Sequence, residues 1–250
     1  MATDNKLHAI ILGGGFGTRL SGTVTVPKGL ISTGGTTLVG KVITDLLRLP
    51  LIKQISLITN AKYFPAYQQY LQSQFPDTPI KLLNDGATTN DTRLGALGDL
   101  IYALDQTQAW DTDTLVLPTD TYYSFPLQEF IDFYSQFHSF TTVVREMSVD
   151  QIANRLGCAV MDGDRITAFI EKPPKPPSPY AAIPFYIYPQ PVLSLIHQYQ
   201  SSGGSLDSPG SIIPWLLAKS VHLHAFKISS ETIDVGTHLD LEHLQHLSLS

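Results

Sequence analysis

The stretch Ala9-Ile-Ile-Leu-Gly-Gly-Gly-Phe-Gly-Thr-Arg-Leu20, followed closely by Pro27-Lys28, gathers the groups needed to hold a polyphosphate. Gly13, Gly14, Gly15 and Gly17 let the backbone approach a ligand and offer bare N–H groups, donors suited to phosphate oxygens. Arg19 adds a guanidinium and Lys28 an ammonium to the same loop. A dinucleotide-binding turn needs neither fixed charge. Amides, guanidinium and ammonium together read as a grip for a nucleoside triphosphate (NTP), with Leu12 and Thr18 at its edges. The bland alternative is a tight turn with solvated basic side chains.

Such a loop must hang from a rigid strand. The apolar run 9–12 ending on three glycines has the pattern of a buried parallel strand entering a tight loop. Further strand-like runs fall at 54–59, 80–83 and 114–117, separated by helical patterns at 38–49, 63–75, 94–104 and 127–137. That alternation predicts an α/β domain with a mostly parallel sheet covered on both faces. In such sheets ligands gather at the carboxyl ends of the strands. Gly13, Asn84 and Asp120 all fall there, so one cleft can collect them.

After residue 140 the rhythm changes to strands with short connections, at 140–145, 158–161, 166–170 and 183–188, and Asp162-Gly-Asp164 is a hairpin signal. These predict an antiparallel extension of the sheet. Pro173-Pro-Lys-Pro-Pro-Ser-Pro179 must be extended and is read as a rigid loop at the site rather than a ligand for a proline-binding module. Residues 212–217 and 238–247 read as helices.

Five segments recur in one order: Gly13 to Leu30, Arg93-Leu-Gly-Ala96, Leu117-Pro-Thr-Asp120, Phe169-Ile-Glu-Lys-Pro173 and Ile233-Asp-Val-Gly-Thr237. Together they resemble the signature of the sugar-1-phosphate nucleotidyltransferases, enzymes that build nucleotide-sugars from an NTP and a sugar 1-phosphate. The resemblance implies a single Rossmann-like, glycosyltransferase-A-like domain, with an NTP-binding half at about 1–120 and an acceptor-binding half at about 121–250. It implies that Gly15, Gly17 and Arg19 cradle the β- and γ-phosphates and that Lys28 sits on the α-phosphate. It implies Mg²⁺ on Asp120 and Asp234, and nucleoside contacts at Asn84, Arg93 and Gly95. On the acceptor side it implies Thr121, Gly157, Glu171 and Lys172, the lysine on the sugar phosphate. Each has an ordinary counterpart: an Asp after a strand caps helices or forms turns, Asn84-Asp-Gly86 is itself a good turn, and Glu171-Lys172 is an exposed charge pair.

The chain departs from the family where Thr119-Asp120-Thr121 replaces the usual Gly-Asp-Asn, which puts a hydroxyl where an amide often touches sugar hydroxyls. A glucose-like acceptor is therefore not implied. Cytidylyl transfer to a phospho-alcohol is the neighbouring reading, and a catalytically silent nucleotide-sugar regulator is a reading of another class. An NAD-dependent oxidoreductase would need an acidic residue after the second strand, where Asn60-Ala61-Lys62 stands instead.

Neither a serine nucleophile elbow nor HExxH spacing occurs. That suits the implied chemistry, because a phosphate monoester has a second pKa near 6 and attacks without a general base, in a single displacement. A net charge of −6 with 15% charged residues argues against a broad nucleic-acid-binding face. One cysteine, Cys158, leaves no intrachain disulfide and fits a reducing compartment. The polar start and short apolar runs predict neither signal peptide nor membrane span, hence a cytoplasmic enzyme. Its expected partners are an NTP and a phosphorylated small molecule; self-association is left open.

Overall fold

In the first strand, β1 (Leu7–Gly13), six of seven residues are buried, and alternate side chains enter opposite cores. Leu7, Ala9 and Ile11 pack with one apolar cluster and Ile10 with another. A strand buried on both faces is apolar on both, which is why residues 9–12 carry no polar alternation; the one polar side chain, His8, is buried with a partner. The computed structural model describes residues 6–17 and 26–247, so the expectations for Thr18 and Arg19 lie outside the described residues.

β1 lies parallel between β2 (Ile52–Thr59) and β4 (Thr114–Pro118), and β3 (Ile80–Asn84) continues the parallel set beside β2. The register aligns Gly13 with Thr59, Thr59 with Asn84, and Leu12 with Pro118. Four strands thus end along one edge, and that edge carries the Gly-rich loop.

The full order is β3-β2-β1-β4-β9-β6-β10-β8-β7, with β6 (Phe140–Glu146), β7 (Cys158–Asp162), β8 (Arg165–Ile170), β9 (Tyr180–Tyr188) and β10 (Leu223–Ile228). β9 runs antiparallel to β4, β6 and β7, and β8 antiparallel to β7 and β10, while β10 is parallel to β6. This corrects the expectation of a mostly parallel sheet with an antiparallel extension. The sheet is mixed, and pairing of Cys158 with Ala181 closes β9, β6, β10, β8 and β7 into a small barrel. Closure removes the exposed edge that an open extension would leave.

Helices α1 (Leu38–Leu47), α2 (Phe64–Gln74) and α4 (Leu127–Phe137) cover one face; α3 (Ala96–Thr107), α6 (Gln190–Ser201) and α7 (Ile213–Ala218) cover the other. The short α5 (Val149–Ile152) precedes β7, and α8 (His238–Leu247) ends the described chain. Among the described residues no helix is long and apolar enough to cross a membrane. A two-strand antiparallel sheet, β5 (Thr121–Tyr123) with β11 (Thr232–Asp234), stands apart from the main sheet. Ile233 and Val235 pack with Ile31, Leu38 and Leu244, so α1 and α8 hold β11 in place. Buried Tyr123 donates its hydroxyl to Asp45 of α1 at 2.8 Å and so holds β5.

His8 is 1% exposed, and its Nε2 hydrogen-bonds Ser56 Oγ at 2.9 Å. Burial first, then the charge of Lys81, lowers its pKa to about 4. The folded protein therefore holds His8 neutral, and the stability this brings is complete above the unfolded value of 6.5 and lost as pH falls toward 4. The loss is about 3 kcal/mol over that window. Urea unfolding from pH 7 to 4.5 should give a shallower slope for His8→Gln than for the wild type. Equal slopes would remove His8 from the acid sensitivity.

Candidate active site

Along the Gly-rich loop the carbonyls are occupied from within the fold. Leu12 O accepts from the N–H and hydroxyl of Thr119, both at 3.1 Å. Gly13 O accepts from Thr59 Oγ1 at 3.1 Å, Gly14 O from Asn60 Nδ2 at 2.9 Å, and Phe16 O from Tyr63 OH at 3.0 Å. In a planar trans peptide the next N–H points opposite the carbonyl. Engaging the carbonyls of 13, 14 and 16 therefore turns the N–H groups of Gly14, Gly15 and Gly17 away from the fold's donors, the orientation an anion needs. Gly17 has φ +62°, a value that favours glycine.

Lys28 begins a 3-10 turn, Lys28–Leu30, seated on buried Tyr67 and Thr119 through Gly29, where a Cβ would stand 2.5 Å from the tyrosine oxygen. The lysine stem lies beside Gly17, and Nζ donates to Asp120 Oδ2 at 3.2 Å. The loop ammonium and the carboxylate after β4 thus meet across 92 residues of sequence.

Asp120 and Asp234 are placed by the β5–β11 pair. Asp234 is in register with Thr121, the residue after Asp120, and the Val235 N–H donates to the Asp120 carbonyl at 2.9 Å. Both carboxylates line one cleft of about 190 Å³ with Leu12, Ala96, Pro118, Thr121, Pro184 and Pro209. Thr121 is 2% exposed, and its Oγ1 has no hydrogen-bond partner among the described residues. Among the described residues no cluster of three or more His, Cys, Asp or Glu forms a metal cage. Two hard carboxylate donors in one cleft fit Mg²⁺, which takes one or two carboxylates and fills its shell with phosphate oxygens and water.

Gly157 and Glu171 come together. A Cβ on Gly157 would stand 2.5 Å from the Phe169 ring and 3.3 Å from Glu171 Oε2. Glu171 Oε2 also lies near Gly210, beside the Tyr186 hydroxyl. Burial raises the Glu171 pKa, opposed by the Lys172 charge and by a hydrogen bond from the Ser208 side chain. Lys172 follows the end of β8 in the left-handed region, at φ +46°, and is exposed. A non-glycine residue held there is a local cost of the kind that clusters at functional sites. Tyr186, Ser208, Pro184 and Pro209 were not among the expected site residues; they reach it from β9 and from the 203–212 connection.

Gly95 precedes α3 at φ +82°, and a Cβ there would stand 2.8 Å from the Leu206 carbonyl carbon and closer to its oxygen. The N–H groups of Ala96 and Leu97 donate to Asp207 O and Leu206 O at 3.2 and 2.9 Å, docking the helix start on that connection. Arg93 ion-pairs with Asp207 at 3.1 Å on the surface, and Asn84 Oδ1 accepts from the Gly86 N–H at 2.9 Å. Those two side chains are engaged outside the cleft.

The family described as Nucleotidyl transferase matches residues 8–249. Glucose-1-phosphate adenylyltransferase of Desulfitobacterium hafniense (strain Y51) is 31% identical over 126 residues, 49% of this chain and 32% of that protein. The rice protein named "Probable mannose-1-phosphate guanylyltransferase 1" (Oryza sativa subsp. japonica) is 30% identical over 173 residues, 67% of this chain and 45% of its own length. Glucose-1-phosphate adenylyltransferase of Thermotoga neapolitana is 28% identical over 245 residues, 92% of this chain and 57% of that one. The chain thus spans between a third and somewhat over half of these relatives. A solved structure from Bacillus anthracis, named "Putative Glucose-1-Phosphate Thymidylyltransferase", superposes with a TM-score of 0.78 over 97% of this chain and 95% of that one, at 21% identity, a likeness of fold. The match over residues 8–249, nearly the whole length, places this chain in the nucleotidyl transferase family.

Proposed function

We propose that this protein transfers a nucleotidyl group from an NTP to a sugar 1-phosphate, releasing pyrophosphate in one Mg²⁺-dependent displacement. The observation that carries the reading is the meeting of Asp120, Asp234 and Lys28 beside the Gly-rich loop. A doubly charged acceptor phosphate is nucleophilic at pH 7 without a base. An oxygen of that phosphate bonds to the α-phosphorus as the bond from the α-phosphorus to the β-phosphate oxygen breaks. The protein's task is to hold two anions in line and offset the charge. The glycine N–H groups and Arg19 hold the β- and γ-phosphates, and Gly95 lies on the nucleoside side; Asn84 and Arg93 reach the nucleoside only by leaving Gly86 and Asp207. Thr121, Gly157 and Glu171 contact the acceptor, and Lys172 meets its phosphate. Lys28 exchanges Asp120 for the α-phosphate, an exchange made cheap by the partial exposure of the ion pair. Mg²⁺ held by Asp120 and Asp234 supplies charge neutralisation at the phosphate oxygens.

The test is pyrophosphate release from a panel of NTPs against sugar 1-phosphates and phospho-alcohols, with and without Mg²⁺. A productive pair only among the phospho-alcohols would move the acceptor class. Tight binding of nucleotide-sugars with no turnover for any pair would make the protein a regulator. The two lysines separate the halves of the site. Lys28→Ala should lower kcat by about 100-fold with little change in NTP KM, because its charge acts where negative charge is redistributed. Lys172→Ala should raise the acceptor KM about tenfold and leave NTP binding unchanged. Loss of NTP binding in Lys172→Ala, read by calorimetry, would reverse the donor and acceptor sides.

A further inference from the structure

Behind the Gly-rich loop two carboxyl groups meet, and among the described residues no cation offsets their charge. Asp99, in the first turn of α3, is 5% exposed, and Asp85 follows Asn84 at the end of β3. Both face Gly14: a Cβ built there would overlap Asp99 Oδ2 and stand 3.3 Å from Asp85 Oδ2. Only glycine lets the loop lie this close to the pair.

Taken as two carboxylates, the pair is unsatisfied. Asp85 Oδ1 accepts from the Ala87 N–H at 2.7 Å, but Asp85 Oδ2 and Asp99 Oδ1 are buried with no donor. Two unpaired buried acceptors of like charge side by side are costly. One proton held between the carboxyls removes one charge and gives the two side chains the hydrogen bond that joins them.

We infer that Asp85 and Asp99 form a proton-sharing carboxyl clamp that positions Gly14 and, through it, the N–H groups that receive the NTP phosphates. The inference rests on the reading of this loop as the NTP grip. Neither aspartate touches the reacting atoms; both are positioning residues. The groups facing the pair are Gly14 from the loop, the Ala87 N–H from the 85–89 turn, and Asn60, which holds Gly14 O at 2.9 Å from the end of β2. None of them titrates, so the proton belongs to the pair. Burial first, then the charge and hydrogen bond of Asp85, pushes the Asp99 carboxyl up to about 8, and burial raises Asp85 as well. The pair titrates as a unit. Between the pair's two titrations the clamp is closed and carries one charge. Above it, two like charges repel beside a loop that must receive a polyanion.

The sign follows directly: NTP affinity falls as pH rises through the pair's titration, at most about tenfold per pH unit for one proton. NTP KM measured from pH 7 to 9.5 should rise above pH 8 in the wild type. Asp99→Asn keeps a donor toward Asp85 but cannot titrate, so its KM should stay within about threefold of wild type at pH 7 and remain flat to pH 9.5. Asp85→Asn, with the amide on the other partner, should behave alike, while Asp99→Ala should have a raised KM throughout. A flat wild-type profile, or an Asp99→Asn profile that follows the wild type, would overturn the clamp. If no NTP turns over, the proposed activity fails on its own, and nuclear magnetic resonance still decides the clamp. The carboxyl carbons of both aspartates and the Gly14 amide should then shift together with pH in the wild type, and the Gly14 shift should vanish in Asp99→Asn. A Gly14 amide indifferent to the pair refutes the inference.

Discussion

Asp120→Asn and Asp234→Asn should each lower kcat by about 100- to 1,000-fold while leaving the folded structure in place, read by pyrophosphate release beside thermal unfolding. The magnitude is that of losing one preorganised electrostatic partner of a transition state, about 3–4 kcal/mol. Folding should be nearly indifferent for separate reasons at the two positions. Asp120 loses an ion pair with Lys28 that is 21% and 34% exposed on its two sides, a class of pair worth under about 1 kcal/mol. Asp234 keeps its place because β11 is set by backbone pairing with β5 and by burial of Ile233 and Val235. A second signature should accompany the loss: the Mg²⁺ concentration for half-maximal rate should rise in both variants, since on the proposed reading each removes one carboxylate from the ion. Full activity in EDTA, or in either variant, would remove the two-aspartate assignment.

What the sequence made legible was local. β1 and β4 announce themselves because strands buried on both faces are near-continuous apolar runs, β2 and β3 by shorter apolar stretches, and the helices between them by a repeat every three or four residues. The carboxyl-end edge follows from that alternation, and with it the neighbourhood of Gly13, Asn84 and Asp120. β5 and β11, three residues each, are too short to carry a period, yet they set Asp120 beside Asp234. β10, Leu-His-Ala-Phe-Lys-Ile, is broken by a histidine and a lysine and was not expected as a strand. It nevertheless sits inside the sheet between β6 and β8, where its insertion builds the barrel. α6 carries a readable pattern: Val192, Leu193, Ile196 and Tyr199 hold helical spacing and are all buried. The partners of Glu171 (Ser208, Gly210 and Tyr186) and the Asp85–Asp99 pair are tertiary meetings with no sequence signal of their own. The signal nearest to one was Gly14, a glycine more than a turn requires.

Gly95→Ala is expected to be strongly damaging on the side of the cleft proposed for the nucleotide, and a second glycine supplies its control. At φ +82° and ψ 160°, a conformation essentially reserved for glycine, an alanine carries about 1–3 kcal/mol of conformational cost. Its Cβ would also press on the Leu206 carbonyl, which is backbone and already committed to the Leu97 N–H. Forcing atoms into a packed position adds about 1–3 kcal/mol. Relief requires the 206–207 segment to withdraw, which breaks the two bonds docking the start of α3 and pulls on Ser208, the side chain that holds Glu171. The expected result is a Tm lowered by about 5–12 °C for a chain of this size and a higher KM for both substrates. Gly86→Ala separates the causes. Gly86 has φ +81°, and a Cβ there meets nothing within 4 Å, so it bears a positive-φ cost without the collision. It should lose only about 1–2 kcal/mol and leave both KM values unchanged. Equal destabilisation of the two variants would show that the close approach of Leu206 to Gly95 is not what fixes the start of α3.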